Sequence, residues 1–442
     1  MKKPDKKRSV WARAVGAGAL LGASVTAAAG LLPSMTEKPM APWTMVYGTE
    51  KPQQAPTALL FGVLQPGYAY IQGDSANAAG ARVGGNAQFK FYRVRPGIRG
   101  SLGPDIDYYF LSEFANNPAD PNNGVIGHAH VLDASVTLNY VPGVHFEIGQ
   151  MLVPFAEEGI TAAPMLPWIN YSPATYNISY NEFASTPATN GIAGPGAGLF
   201  NAGGELGLMA FNDFHPGNMS FNYAVGLFNG TGVSELESSM HHPDQVLAHI
   251  GAEDGPLGLA VGFENGRQMI GPYKVTTATA TINETPYDLP GMSYQQQKFA
   301  LDLRYGNYMT DPLWVWYEYQ HAKDTQQPGA HGPGVARGWF AAAGWRPVKH
   351  VMAVFRYSTY NSENIEPVVG SGTGPMFTPN YTGVAGVSTS LDQESLIGVY
   401  LANKGTRYYV EWDRTSFNNT GAPTDNAVSV MVSLPFGVRL IH

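Results

Sequence analysis

The sequence predicts an all-β fold: a transmembrane antiparallel β-barrel of about sixteen strands, with a long third loop folded into its lumen. Three observations predict it. Segments of about ten residues alternate apolar and polar side chains, which is the period of a strand and the length of a tilted membrane strand. Short turns alternate with long polar loops along the chain. Beyond residue 30 no apolar run reaches the roughly 20 residues a membrane helix needs, so a membrane-spanning chain must cross as strands.

The chain opens on an export leader. Lys2, Lys3, Lys6, Lys7, Arg8 and Arg13 form a positive n-region, an apolar run follows from Ala14 to Ala23, and Ala27, Ala28 and Ala29 supply a small-residue cleavage site. Residues 1–29 are therefore expected to be a signal peptide, 30–56 an N-terminal periplasmic extension and 57–442 the barrel. An extension that short is too small for a folded plug domain, since small domains begin near 40–60 residues.

Composition narrows the function classes. There are no cysteines, which excludes disulfides, thiol catalysis and thiolate metal sites. Charged residues are 14% of the chain, against about 25% in ordinary soluble domains, while aromatics are 12%. That combination suits a surface that partly faces outer-membrane lipid. Removing the leader leaves a net charge of about −13, which excludes nucleic acid as a partner.

The strands show their two faces directly. In 133–140, Ala134, Val136, Leu138 and Tyr140 alternate with Asp133, Ser135, Thr137 and Asn139. In 220–226, Phe221, Tyr223 and Val225 alternate with Ser220, Asn222, Ala224 and Gly226. Asp302 and Arg304 sit between Leu301, Leu303 and Tyr305, and Arg407, Tyr409, Glu411 and Asp413 alternate with Tyr408, Val410 and Trp412. A polar inner face and an apolar, aromatic outer one is what a barrel around water requires. A soluble sandwich would turn its apolar faces toward each other instead.

Connections set the strand count. Tight turns are expected at 103–105, 141–143, 215–218, 253–256, 346–349 and 403–405, with a slightly longer one at 306–311, each carrying Gly, Pro, Asn or Asp. Longer stretches centre near residues 78, 122, 175, 237, 282, 329, 376 and 421. Seven turns and eight loops imply about sixteen strands, with short turns and both termini on the periplasmic side.

The third loop, from about Leu152 to Ala202, is the longest and carries six prolines, several aromatics and a Gly-rich end. Structureless loops of that length are usually functional or disordered. Inside a barrel, the functional reading is a loop turned inward to narrow a water-filled pore; the bland alternative is an external loop.

Two runs carry a resemblance. Phe89-Lys90-Phe91-Tyr92-Arg93-Val94-Arg95-Pro96-Gly97-Ile98-Arg99-Gly100-Ser101-Leu102 with Ile106-Asp107-Tyr108-Tyr109-Phe110 resembles the opening hairpin of the phosphate-selective porin O and porin P family. Phe146-Glu147-Ile148-Gly149-Gln150-Met151-Leu152-Val153-Pro154-Phe155-Ala156-Glu157-Glu158 resembles that family's segment leading into the third loop. The resemblance covers roughly residues 85–175 and implies a sixteen-stranded, usually trimeric porin whose third loop forms the constriction.

Charge departs from that pattern. Phosphate selectivity in the family rests on Arg and Lys in the pore, yet after Arg99 the next cation is Arg267, and the third loop carries Glu157, Glu158 and Glu182. Those three glutamates are the expected constriction residues. Arg93, Arg95, Arg99, Asp107, Glu113, Asp302, Arg304, Arg407 and Glu411 are the expected pore lining, with the first five forming either a cross-strand salt-bridge ladder or a track for ions. Acidic rings favour cations, so weak cation preference or near neutrality is expected rather than phosphate selectivity.

Other chemistry is thin. His128 with His130, and His241 with His242, lack a third metal ligand, and Asp120–Gly124 lacks the spaced acids of a calcium loop. No hydrolase, metalloprotease or phosphate-binding motif stands in its structural context. The expected function is passive diffusion of small hydrophilic solutes and ions, with no catalysis, cofactor or metal. The alternative is a non-transport barrel, an adhesin or a structural sleeve, for which an inward loop has no use.

Overall fold

A computed structural model describes residues 56–72, 86–115, 130–180 except 163, 205–229 except 218, 245–269, 275–277, 280–282, 293–324, 335–363, 389–402, 405–418 and 424–441. Sixteen strands close into one antiparallel barrel. They are β1 (Ala58–Gln72), β2 (Asn86–Gly103), β3 (Ile106–Glu113), β4 (His130–Val141), β5 (Val144–Met151), β6 (Glu205–Phe214), β7 (Met219–Phe228), β8 (Gln245–Asp254) and β9 (Leu257–Met269), then β12 (Ser293–Tyr305), β13 (Leu313–Asp324), β14 (Val335–Val348), β15 (Val351–Glu363), β16 (Thr389–Leu401), β17 (Arg407–Phe417) and β18 (Asp425–Ile441). A small hairpin of β10 (Val275–Thr277) and β11 (Ala280–Ile282), unforeseen in the sequence, lies between β9 and β12.

Every barrel neighbour pairs antiparallel, and β1 closes on β18 with Ala58 opposite Ile441. That register places both described ends on the rim of the seven short turns. Gly143, Gly217, Gly255, Gly306 and Gly405 take positive φ there, the conformation tight turns need. One turn differs from expectation: β14 runs on to Val348, so the reversal falls at Lys349 and His350 after a bulge between Trp345 and Val348.

The two faces separate as the alternation requires. Leu60, Val136, Ile148, Val225, Ile250, Leu303 and Phe355 are exposed on the outside, while Ser135, Thr137, Asn222, His249, Asp302 and Arg356 are buried inside. Among the described residues no helix is long and apolar enough to cross a membrane.

Candidate pore constriction

After β5 the chain enters the lumen. Residues 152–180 make one helical turn, α1 (Glu157–Ile160), a run of turns and bends, and a π-helical turn (Thr175–Tyr180). Leu166, Trp168, Ile169 and Ser172 are fully buried. Such irregular backbone at membrane depth persists only where its N–H and C=O groups find partners inside the protein, and here the barrel wall supplies them.

The partners come from strands around the barrel. Arg407 donates to the Met165 carbonyl at 3.1 Å and the Tyr409 hydroxyl to the Leu166 carbonyl at 3.0 Å. The Ile169 N–H donates to Glu411 at 2.6 Å, while its carbonyl accepts from Arg93 at 3.3 Å. Arg356 donates to the Asn170 carbonyl at 2.8 Å. Farther along, Gln320 donates to Thr175 at 2.8 Å and Ser179 to Gln320 at 2.8 Å. β2, β13, β15 and β17 thus hold one loop between them.

Apolar packing completes the seating. Trp168 lies 5.3 Å from Trp316 and 5.5 Å from Phe340, ring centre to ring centre, with Tyr308 stacked on Trp316 at 5.5 Å. Two wall glycines admit the loop by close approach. A Cβ at Gly262 would overlap the Phe155 carbonyl oxygen, and one at Gly338 would stand 2.7 Å from Ala174 Cβ.

The loop carboxylates meet wall cations. Glu157 lies 3.5 Å from Arg304 and 3.5 Å from His249, and is 1% exposed. Arg304 also holds Asp302 at 3.0 Å and Glu253 at 3.1 Å. Glu158, with no exposure, lies 3.5 Å from Arg356 and accepts from the Ser172 N–H at 3.0 Å. Burial pushes the Glu158 carboxyl above its ordinary value, against the pull of Arg356 and the Ser172 and Thr175 hydrogen bonds. The N–H of Glu158 donates in turn to Glu318 at 2.7 Å.

Of the expected ladder, one rung joins Arg95 to Glu113 at 2.7 Å. Asp107 instead accepts from Ser101 and from Asn139 at 2.8 Å, and Arg93 turns to Gln65 at 2.8 Å and to the loop. A bulge explains the turn of Arg93: Gln65 faces Arg93 and Pro66 faces Phe91, so Tyr92 is the extra residue and both Tyr92 and Arg93 are buried. Arg99 sits over the Phe61 ring at 5.5 Å. Glu182, His128, His241, His242 and Asp120–Gly124 lie outside the described residues, as do residues 1–55.

Sequence reasoning missed Arg356, Trp168, Glu318 and His249. Alternation could have placed Arg356 inward, between Val354 and Ser358, but nothing local marks it as the partner of a loop 186 residues away. Among the described residues no three His, Asp or Glu side chains converge as a metal centre.

The family model described as phosphate-selective porin O and P matches residues 68–351. The chain belongs to that family. This porin is an outer-membrane channel for passive solute diffusion, and its family and fold are those of a channel, not of an enzyme. Similar solved structures include the anion-selective porin from Comamonas acidovorans (TM-score 0.54, 14% identity, 86% of this chain and 100% of that one). They also include the outer membrane channel DcaP of Acinetobacter baumannii (0.51, 13%, 86% and 98%) and the OmpT outer membrane protein of Vibrio cholerae in trimer form (0.50, 11%, 87% and 100%). At these identities the likeness is one of fold. The comparison with curated proteins finds no match.

Proposed function

We propose that this porin passes small hydrophilic solutes and ions through a constriction set by residues 152–180, with near-neutral or weakly cation-preferring selectivity. The observation that carries the reading is the stretch Met165–Asn170, whose backbone is bonded to Arg93, Arg356, Arg407, Tyr409 and Glu411 of the wall. Glu157 and Glu158 act at this constriction as anchors, each matched by an arginine, and Arg407 and Glu411 hold loop backbone. Arg95, Arg99, Asp107, Glu113, Asp302 and Arg304 line the wall beside it. The anion selectivity named for the Comamonas porin is not carried over, because residues 100–266 contain no Lys or Arg.

By analogy with the trimer form of the Vibrio protein, the assembly is a homotrimer set in outer-membrane lipid, its outer face supplying the apolar belt. The mature chain begins near Gly30, after the leader. The test is single-channel conductance of refolded protein, with reversal potential in a salt gradient, before and after deletion of residues 163–196. A larger conductance in the deletion is expected. An unchanged one would show that solute takes a route the loop does not narrow.

A further inference from the structure

Glu411 and Asp413 project inward from β17, two residues apart, with exposures of 0% and 1%. Glu411 Oε2 accepts from the Ile169 N–H at 2.6 Å and Asp413 Oδ1 from the Ser395 hydroxyl at 2.6 Å. The other oxygens, Glu411 Oε1 and Asp413 Oδ2, receive no N–H or O–H donor, although the two carboxyl groups lie within hydrogen-bonding reach of each other. Arg356 Nη2 stands 3.8 Å from Glu411 Oε1, beyond hydrogen-bond distance.

Ser429 of β18 faces Glu411 directly in register and is fully buried, yet its hydroxyl has no partner. A buried hydroxyl is ordinarily hydrogen-bonded, and one beside a carboxylate oxygen that lacks a donor would be expected to bond it. Of its inward neighbours, Ala427 on β18 and Ala69 on β1 are small, while Met431 bounds it on the other side. Three buried oxygens without a hydrogen-bond partner therefore lie at facing and adjacent inward positions of β17 and β18.

Charge leads to the same place. Glu158, Glu411 and Asp413 share the single guanidinium of Arg356, so with all three ionised two negative charges are in excess. Glu318 faces Glu158 through that residue's N–H, and Arg93 faces the group only through the Ile169 carbonyl. Uncompensated buried charge is costly, and one divalent cation balances two carboxylates.

We propose that Glu411, Asp413 and Ser429 bind one hard divalent cation of the calcium type, its remaining positions filled by water. Calcium fits better than magnesium because it accepts flexible oxygen geometry at 2.3–2.6 Å, whereas magnesium demands a near-ideal octahedron. So few protein ligands put the affinity in the weak class, about 10⁻⁴–10⁻³ M. The ion sits beside the Glu411 that anchors Ile169, so it also steadies the constriction.

Equilibrium dialysis of radioactive Ca²⁺ against the refolded full-length porin, in lipopolysaccharide-free micelles after chelation, tests this. One ion per chain is expected, with binding lost in Asp413→Asn. Ser429→Ala has no hydrogen bond to lose, so it should unfold at the wild-type temperature in chelator while binding Ca²⁺ several-fold more weakly. Absence of binding by the wild type at millimolar Ca²⁺, or equal binding by Ser429→Ala, overturns the proposal. So does a wild-type unfolding temperature that rises from about pH 7 to pH 5 and ignores Ca²⁺ at both, since the carboxyl pair then holds a proton in place of a cation.

Discussion

The guanidinium of Arg356 lies 4.8 Å from the centre of the Trp168 ring, so a charge of the barrel wall and an aromatic ring of the third loop share one buried interface. The same guanidinium donates to the Asn170 carbonyl and faces Glu158 and Glu411. Loop position, charge balance and backbone satisfaction therefore converge on one side chain. This makes Arg356 the point at which to loosen the proposed constriction.

Replacing Arg356 by Met leaves Glu158 and Glu411 buried without their cation. Removing one partner of a buried ion pair costs about 3–5 kcal/mol, while the strand pairing that closes the barrel is untouched. The variant should refold to a barrel, unfold at lower denaturant, and show a larger, noisier conductance. Arg356→Lys should fall between, because an ammonium cannot reproduce the planar fork. Wild-type conductance in both variants would count against Arg356 as an anchor.

Trp168 tests the apolar half of the seat. It is fully buried between Trp316 and Phe340, and truncating such a ring to Ala costs about 3–5 kcal/mol. Because the cost falls on the loop and not on the strand ladder, conductance should rise more than barrel stability drops. Single-channel recording beside denaturant titration separates the two effects.

Gly262→Ala asks whether close approach is needed. The added Cβ would meet the Phe155 carbonyl, which is backbone and cannot swing aside. The loop entrance should shift and α1 should lose its seat, making 152–162 open to proteases that leave the wild type intact. A protease-resistant variant of unchanged conductance would show that the loop has more room than the geometry implies.

Glu158 sets a pH signature. Its carboxyl is raised by burial, so the folded state holds this proton more tightly than the unfolded state. The stability it contributes is present at acidic pH, below the unfolded value, and is lost as pH rises through the folded one. The stability difference between wild type and Glu158→Gln should therefore shrink in the wild type's disfavour from about pH 4 toward neutrality. Reversal potential at neutral pH should move little in the Glu157→Gln, Glu158→Gln double variant, because both charges are already matched by Arg304 and Arg356. A large shift would show that these carboxylates face the permeating ions.

The barrel was legible because its signals are local. Alternation around Asp302 and Glu411 states which side faces in, and Gly143 or Gly255 states where the chain reverses; neither depends on residues far away. The length and proline content of the third loop likewise mark it as exceptional within its own span. From the loop's composition, Glu157 and Glu158 read as free acidic charge.

The period-two strands, the turn chemistry, the strand count and the absence of cations from 100 to 266 are all written locally along the chain. What the charges do depends on how the barrel closes. Closing β1 on β18 brings β2, β15 and β17 around one lumen, so Arg93, Arg356 and Glu411 reach the same stretch of loop although they are far apart in the chain. Loop backbone inside a barrel must be hydrogen-bonded or remain outside, and the wall's charged side chains are the donors and acceptors that let it enter. That pairing is a property of barrel closure, which no local pattern of residues encodes.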